Sequence, residues 1–91
     1  MKKEMRELEL GNLVVTSGAR SALTDEEIEA MTDRHRACDW GDVPREDWEE
    51  NDWSAENGER VLSQFWSKGN KIWVITEWNR MVTTILLPSE Y

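Results

Sequence analysis

The stretch Val61-Leu62-Ser63-Gln64-Phe65-Trp66-Ser67-Lys68-Gly69-Asn70-Lys71-Ile72-Trp73-Val74-Ile75-Thr76-Glu77-Trp78 decides the fold. From Arg60 onward the apolar period changes from about 3.6 to about 2, the period of a strand. Val61 to Trp66 is one strand, and Lys68-Gly69-Asn70 supplies the residues of a hairpin turn. Lys71 to Trp78 is the second strand; its middle is apolar on both faces, which predicts a central position in the sheet. Asn79-Arg80 then gives a short turn, with Asn79 suited to the left-handed conformation. Met81 to Leu87 closes a three-stranded antiparallel meander that Pro88 ends.

Upstream of the meander the signals are helical. Pro44 fits the first turn of a helix and Gly58 fits the position just past its end. Within it Trp48, Asp52 and Ala55 share a face, while Trp53 points elsewhere. Asp39-Trp40-Gly41-Asp42-Val43 reads as a tight connection. Before it, Thr24-Asp25-Glu26-Glu27 spells a capping box, with Leu23 and Ile28 placed as a hydrophobic staple. Ile28, Met31, His35 and Cys38 follow at helical spacing as a narrow buried stripe, predicting a helix over 25–38. A first strand over Leu10–Thr16, bent at Gly11-Asn12, and a single helical turn capped by Ser17 complete the chain. The architecture expected is an α+β two-layer sandwich: N-terminal strand, two helices, then the meander. The first strand should pair with an edge or the centre of that meander. Residues 1–91 form a single domain, with 1–7 expected to fray.

The 91 residues hold 19 acidic and 11 basic side chains, a net charge of −8. That charge is concentrated. Residues 25–59 hold fourteen acidic and three basic side chains, a net of −11, while the segments on either side carry +1 and +2. Such a stretch is either the solvated face of two helices or an acidic surface built for a basic partner. Direct capture of nucleic acid or of an anionic membrane would need clustered Lys and Arg instead. No run is long and apolar enough to span a membrane, and no signal-peptide core follows the N-terminus. A single cysteine, Cys38, excludes an internal disulfide framework and fits a reducing cytoplasm.

Catalytic signatures are missing: no phosphate loop, nucleophile elbow or zinc-protease pairing is present. With one histidine and one cysteine, a Cys/His zinc site has no ligands to draw on. Asp39 and Asp42, with Glu46 or Asp47, have the oxygen chemistry of a hard-metal site, but such residues ordinarily form turns and caps. His35 and Cys38 lie on the apolar stripe and read as core rather than as a catalytic pair. Glu77 and Arg80 read as a surface ion pair. The expectation is a protein without cofactor, metal or enzymatic activity.

The six tryptophans are unusual for so short a chain. Trp66 and Trp73, in strands, are expected to build the core, and Trp40 to plug the corner between the helices. Trp48, Trp53 and Trp78 exceed what a core of this size can bury, and exposed tryptophan is enriched at protein interfaces.

One set of residues resembles a known family. Leu10-Gly11, Val15-Thr16, Gly18-Ala19 and Ala22-Leu23, then Arg34-His35 and Asp39-Trp40-Gly41-Asp42, lead into a C-terminal group. That group is Trp73, Ile75-Thr76-Glu77, Arg80, Thr83-Thr84, Leu87-Pro88 and Tyr91. The pattern is similar to small uncharacterised bacterial proteins carried on plasmids, prophages and integrative elements. Members are labelled plasmid-related or type I restriction endonuclease subunit M. The chain departs from them at Cys38, where a small residue such as Gly is expected, and in its extra tryptophans. The methyltransferase label does not fit, because 91 residues without a Gly-rich fingerprint cannot hold a methylase domain. The resemblance implies a genomic context rather than a reaction.

The expectation for function is therefore an inhibitor, of the anti-CRISPR or anti-restriction kind, that binds a basic nucleic-acid-binding host complex. Helical carboxylates at i and i+4 lie about 6 Å apart, close to phosphate spacing along a strand, so they can mimic a nucleic-acid backbone. The residues expected to meet the partner are Glu46, Asp47, Trp48, Glu49, Glu50, Asp52, Trp53 and Glu56. Asp25, Glu26, Glu29, Asp33 and Trp78 complete the set. The alternative is a non-inhibitory acidic adaptor, or a homodimer or larger homo-oligomer with a housekeeping role on a plasmid.

Overall fold

The computed structural model describes residues 6–91. In chain order they form β1 (Asn12–Val15), α1 (Ser17–Ala22), α2 (Asp25–Arg36), α3 (Arg45–Asn57), β2 (Val61–Ser67), β3 (Asn70–Thr76) and β4 (Val82–Leu86), then a 3-10 turn over Pro88–Glu90. The four strands make one mixed sheet in the order β1-β4-β3-β2. The meander is antiparallel as the sequence predicts, and β1 adds to β4 in parallel, at the edge. This is the expected α+β fold. Of the residues expected to fray, 1–5 lie outside the described residues, while Arg6 is held in ion pairs with α3.

Local chemistry explains the helices. α2 opens on the full capping box: Thr24 Oγ1 accepts from the Glu27 amide at 3.1 Å, and Glu27 Oε1 accepts from the Thr24 amide at 2.9 Å. The cap of α1 is Thr16 rather than Ser17, because the Thr16 hydroxyl reaches the Ala19 amide. α3 has Pro44 as its cap and ends at Gly58 in the left-handed conformation. α2 stops at Arg36, and Cys38 takes φ +65° to turn the chain. A Gly would adopt that angle without strain, which is the residue the resemblance leads one to expect there. In the β3–β4 turn, Arg80 and not Asn79 takes the left-handed conformation, with φ +62°.

Two clusters form the core. Ala19, Leu23, Ile28 and Met31 pack on Phe65, Ile72, Val74 and Ile85 under α1 and α2. Leu8, Leu10, Cys38, Trp40 and Val61 form a second cluster, with Val43, Trp48 and Ala55 against it. Trp40 is fully buried, as expected for a corner plug. Gly41 explains how the chain passes so close: a Cβ there would collide with the Gln64 carbonyl and the Phe65 ring.

Trp66 and Trp73 depart from expectation. On β2, Val61, Ser63, Phe65 and Ser67 face the helices and are buried, so Leu62, Gln64 and Trp66 face away. Trp66 is 52% exposed and Trp73 half-buried, beside Tyr91 at 5.7 Å between ring centroids. Trp66 Nε1 donates to Asp42 Oδ2 at 2.7 Å and Trp73 Nε1 to Gln64 Oε1 at 3.0 Å. Lys71 and Arg60 stack over Trp66 and Tyr91. This open face is therefore aromatic and cationic.

Candidate protein-binding surface

α3 presents the acidic surface. Glu46, Asp47, Glu49 and Glu50 are all exposed, and Trp53 follows on the same side at 57% exposure. Glu46 and Glu50 are four apart and Glu50 and Trp53 three apart, so they share one helical ridge. Glu46 and Asp47 also favour the positive end of the helix dipole. Among the described residues Glu46, Asp47 and Glu50 have no ion-pair partner, whereas Glu49 lies 3.4 Å from Arg45 on the next turn back.

Other predicted residues have partners within the fold. Arg6 donates to Asp52 at 2.8 Å and to Glu56 at 3.0 Å. Asp52 also accepts from Trp40 Nε1 at 3.0 Å, so its carboxylate satisfies the one polar atom of a buried ring. Trp48 is half-buried against the second core cluster. Asp52 and Trp48 are therefore supports beneath the ridge.

The α2 carboxylates do not merge with those of α3. Asp25, Glu26, Glu29 and Asp33 are exposed on α2, with Arg20 near Asp25 at 3.6 Å and Arg36 on Asp33 at 2.8 Å. Between the two helices runs the segment Arg6–Leu8: the Leu8 amide donates to the Arg36 carbonyl while Arg6 binds α3. The acidic surface is thus two rows divided by a basic residue.

Trp78 is 64% exposed in the β3–β4 turn, which abuts the C-terminal end of α3. Arg80 makes that junction. Its guanidinium donates to the carbonyls of Ser54 at 3.0 Å, Glu59 at 2.7 Å and Glu77 at 3.0 Å. Since α3 has no basic residue in its last turn, Arg80 supplies the charge its C-terminus favours. This corrects the expected Glu77–Arg80 ion pair: Glu77 faces Arg60 at 3.7 Å. A groove of about 240 Å³ runs between α3 and β2, with Asp47 and Glu50 on one wall and Arg60 on the other.

The remaining chemical candidates are structural. His35 is fully buried; its Nδ1 lies 2.6 Å from Ser63 Oγ and its Nε2 2.8 Å from Thr76 Oγ1. Burial, and secondarily the charge of Arg80, pushes its pKa down to about 3. Burial pushes the Cys38 thiol up, away from reactivity. Asp39 is spent on Arg34 and the Gly41 amide, and the Arg34 hydrogen bond holds it below the usual carboxylate range. Among the described residues no three His, Cys, Asp or Glu side chains are grouped to hold a metal. Likewise no described helix is long and apolar enough to cross a membrane.

Sequence reasoning passed over Trp66, Met81 and Tyr91 as exposed apolar groups, at 52%, 66% and 67%. Only for Trp66 was a signal present, in its strand parity with Leu62 and Gln64. Comparison with protein-family models, with curated proteins and with solved structures gave no match, so the candidate surface rests on this chain's own geometry.

Proposed function

We propose that the protein binds and inhibits a basic nucleic-acid-binding complex through the α3 ridge, acting as an acidic mobile-element protein of the anti-CRISPR or anti-restriction kind. One observation carries the reading: exposed Glu46, Asp47, Glu49 and Glu50 lead directly to an exposed Trp53 on one rigid helix. The carboxylates, carried on helix positions whose Cβ atoms lie about 6 Å apart, meet Lys and Arg that otherwise hold phosphates. Trp53 supplies the apolar anchor that a purely electrostatic contact lacks. The resemblance to plasmid- and prophage-borne proteins supports the context. No catalytic step, cofactor or direct nucleic-acid contact belongs to this reading.

The test is affinity capture from host lysate at low salt, eluted first with salt steps and then with competitor DNA. A nucleic-acid-binding complex released by the DNA, and lost from the Glu49→Lys/Glu50→Lys double variant, is the expected result. Full retention by that variant overturns the mimicry. Recovery of the protein alone as a salt-resistant oligomer favours the housekeeping alternative.

A further inference from the structure

The two edges of the sheet are finished differently. Along β2 the outer edge is occupied: Gln64 exchanges main-chain hydrogen bonds with Trp40 and Asp42, at 3.0 and 2.7 Å. The Asn51 amide pairs with both main-chain groups of Leu62, at 2.8 and 3.3 Å. Along β1, Asn12 and Thr16 donate inward to the Met81 and Ile85 carbonyls at 2.9 and 3.0 Å. In a parallel ladder alternate residues face alternate sides. Leu13 and Val15 therefore turn their N–H and C=O groups outward, and among the described residues nothing pairs with them.

An edge of this kind templates pairing with another chain unless a charge, a proline or a bulge blocks it. Residues 10–19 contain no charged side chain and no proline. Leu13 and Val14 are 42% and 45% exposed. We infer that β1 pairs antiparallel with β1 of a second copy of this chain, about a two-fold axis, to give one continuous sheet. The outward groups fix the register. Leu13 lies opposite Val15 of the partner subunit in hydrogen-bonded pairs, and Val14 lies opposite Val14 of the partner subunit in the non-hydrogen-bonded pair between them.

Charge decides where a second copy can join. Two chains of net −8 repel, and the repulsion is concentrated in residues 25–59. β1 is the strand farthest across the sheet from β2, against which α3 sits. Joining there places uncharged, β-branched and apolar residues against their own kind and keeps the α3 ridges at the two far ends. A four-residue edge buries well under the roughly 1,200 Å² of a standard interface, so the dimer forms with rising concentration rather than obligately.

Sedimentation velocity from micromolar to millimolar chain, with Val14→Lys alongside, tests this. The wild-type mass should rise toward twice 10.7 kDa while V14K, verified as folded by circular dichroism, stays at 10.7 kDa. In a Cys38→Ala background, Val14→Cys should form an intermolecular disulfide under mild oxidation, because Cα atoms of a non-hydrogen-bonded pair lie about 4.5 Å apart. Thr84→Cys, one strand inward, should not. A wild-type chain that remains monomeric throughout, a dimer that V14K leaves intact, or equal cross-linking by T84C would each overturn the inference. The edge uses neither α2 nor α3, so V14K also leaves partner capture per chain unchanged, and the two proposals fail separately.

Discussion

The Nδ1 of His35 accepts the hydroxyl proton of Ser63 across 2.6 Å in a fully buried site. The assignment follows from the far end of the chain of bonds. Thr83 Oγ1 donates to the Leu10 carbonyl at 2.8 Å, which spends its only proton. Thr83 must then accept from Thr76 at 2.7 Å, and Thr76 must accept from His35 Nε2–H at 2.8 Å. Nε2 thus carries a proton, and burial, which pushes the pKa down to about 3, keeps the ring neutral and leaves Nδ1 as the acceptor. A Ser–His pair of this geometry would suit a nucleophile, but burial denies it a substrate; it ties α2 to three strands instead.

This neutral histidine gives stability a pH dependence. The folded pKa, about 3, lies below the ordinary value of 6.5, so below 6.5 the unfolded chain binds a proton that the folded chain refuses. The contribution is complete above pH 6.5 and is lost as pH falls toward 3, at about 1.4 kcal/mol per unit. Urea unfolding at intervals between pH 7 and 5 should show this slope, above the range in which the carboxylates titrate. His35→Gln should flatten it. An unchanged slope in that variant would assign the effect elsewhere.

Arg80 should contribute more than its half-buried position suggests. Arg80→Ala removes a charged donor from the Ser54 and Glu59 carbonyls and frees the α3 C-terminus. The expected loss is about 1.5–3 kcal/mol, measured as a shift of the urea midpoint. Hydrogen exchange should quicken first near residues 54–58.

The β2–β3 turn can be improved. Lys68 and Gly69 have φ of 51° and 81°, as in a type I′ turn, where Asn-Gly is favoured. Lys68→Asn should stabilise the domain by about 0.5–1 kcal/mol, read as a rise in Tm. The ammonium of Lys68 sits 3.8 Å from Glu27 in the open, so little is lost with it.

The tryptophans should separate into two kinds. Trp40→Ala empties a fully buried site and leaves Asp52 without its indole partner, costing about 3–5 kcal/mol. Trp53→Ala should leave the unfolding midpoint within about 0.5 kcal/mol and weaken partner capture by about 2 kcal/mol. A Trp53→Ala variant that binds normally would remove the anchor from the proposed surface.

Most of the fold was legible because its signals are local. The Thr24–Glu27 capping box, the helical positions Ile28, Met31 and His35, and the period-2 meander each depend on neighbours in sequence and are present, whereas Cys38, expected on the same stripe, lies past the end of α2 in the second core cluster. Trp66 misled for a physical reason. Ser63 and Ser67 occupy buried positions on β2 because His35 and Glu27 supply their hydrogen bonds, so the two serines of that strand face in and a tryptophan faces out. The roles of Asp52, Arg6 and Arg80 arise from contacts distant in sequence, which composition and period do not report. The acidity of α3 was plain from the sequence; its separation from the α2 row was not, because it depends on where Arg6 lands.

The Asn51 side chain, paired with the Leu62 peptide group as a strand would be, bears on the thermodynamics of association. With Arg80 at the other end, it fixes α3 to the sheet before any partner arrives. Binding at the ridge then costs the rotameric freedom of its side chains but almost none of its backbone, which is already ordered. The heat-capacity change should match the apolar area covered around Trp53, without the larger signature of a segment that folds as it binds.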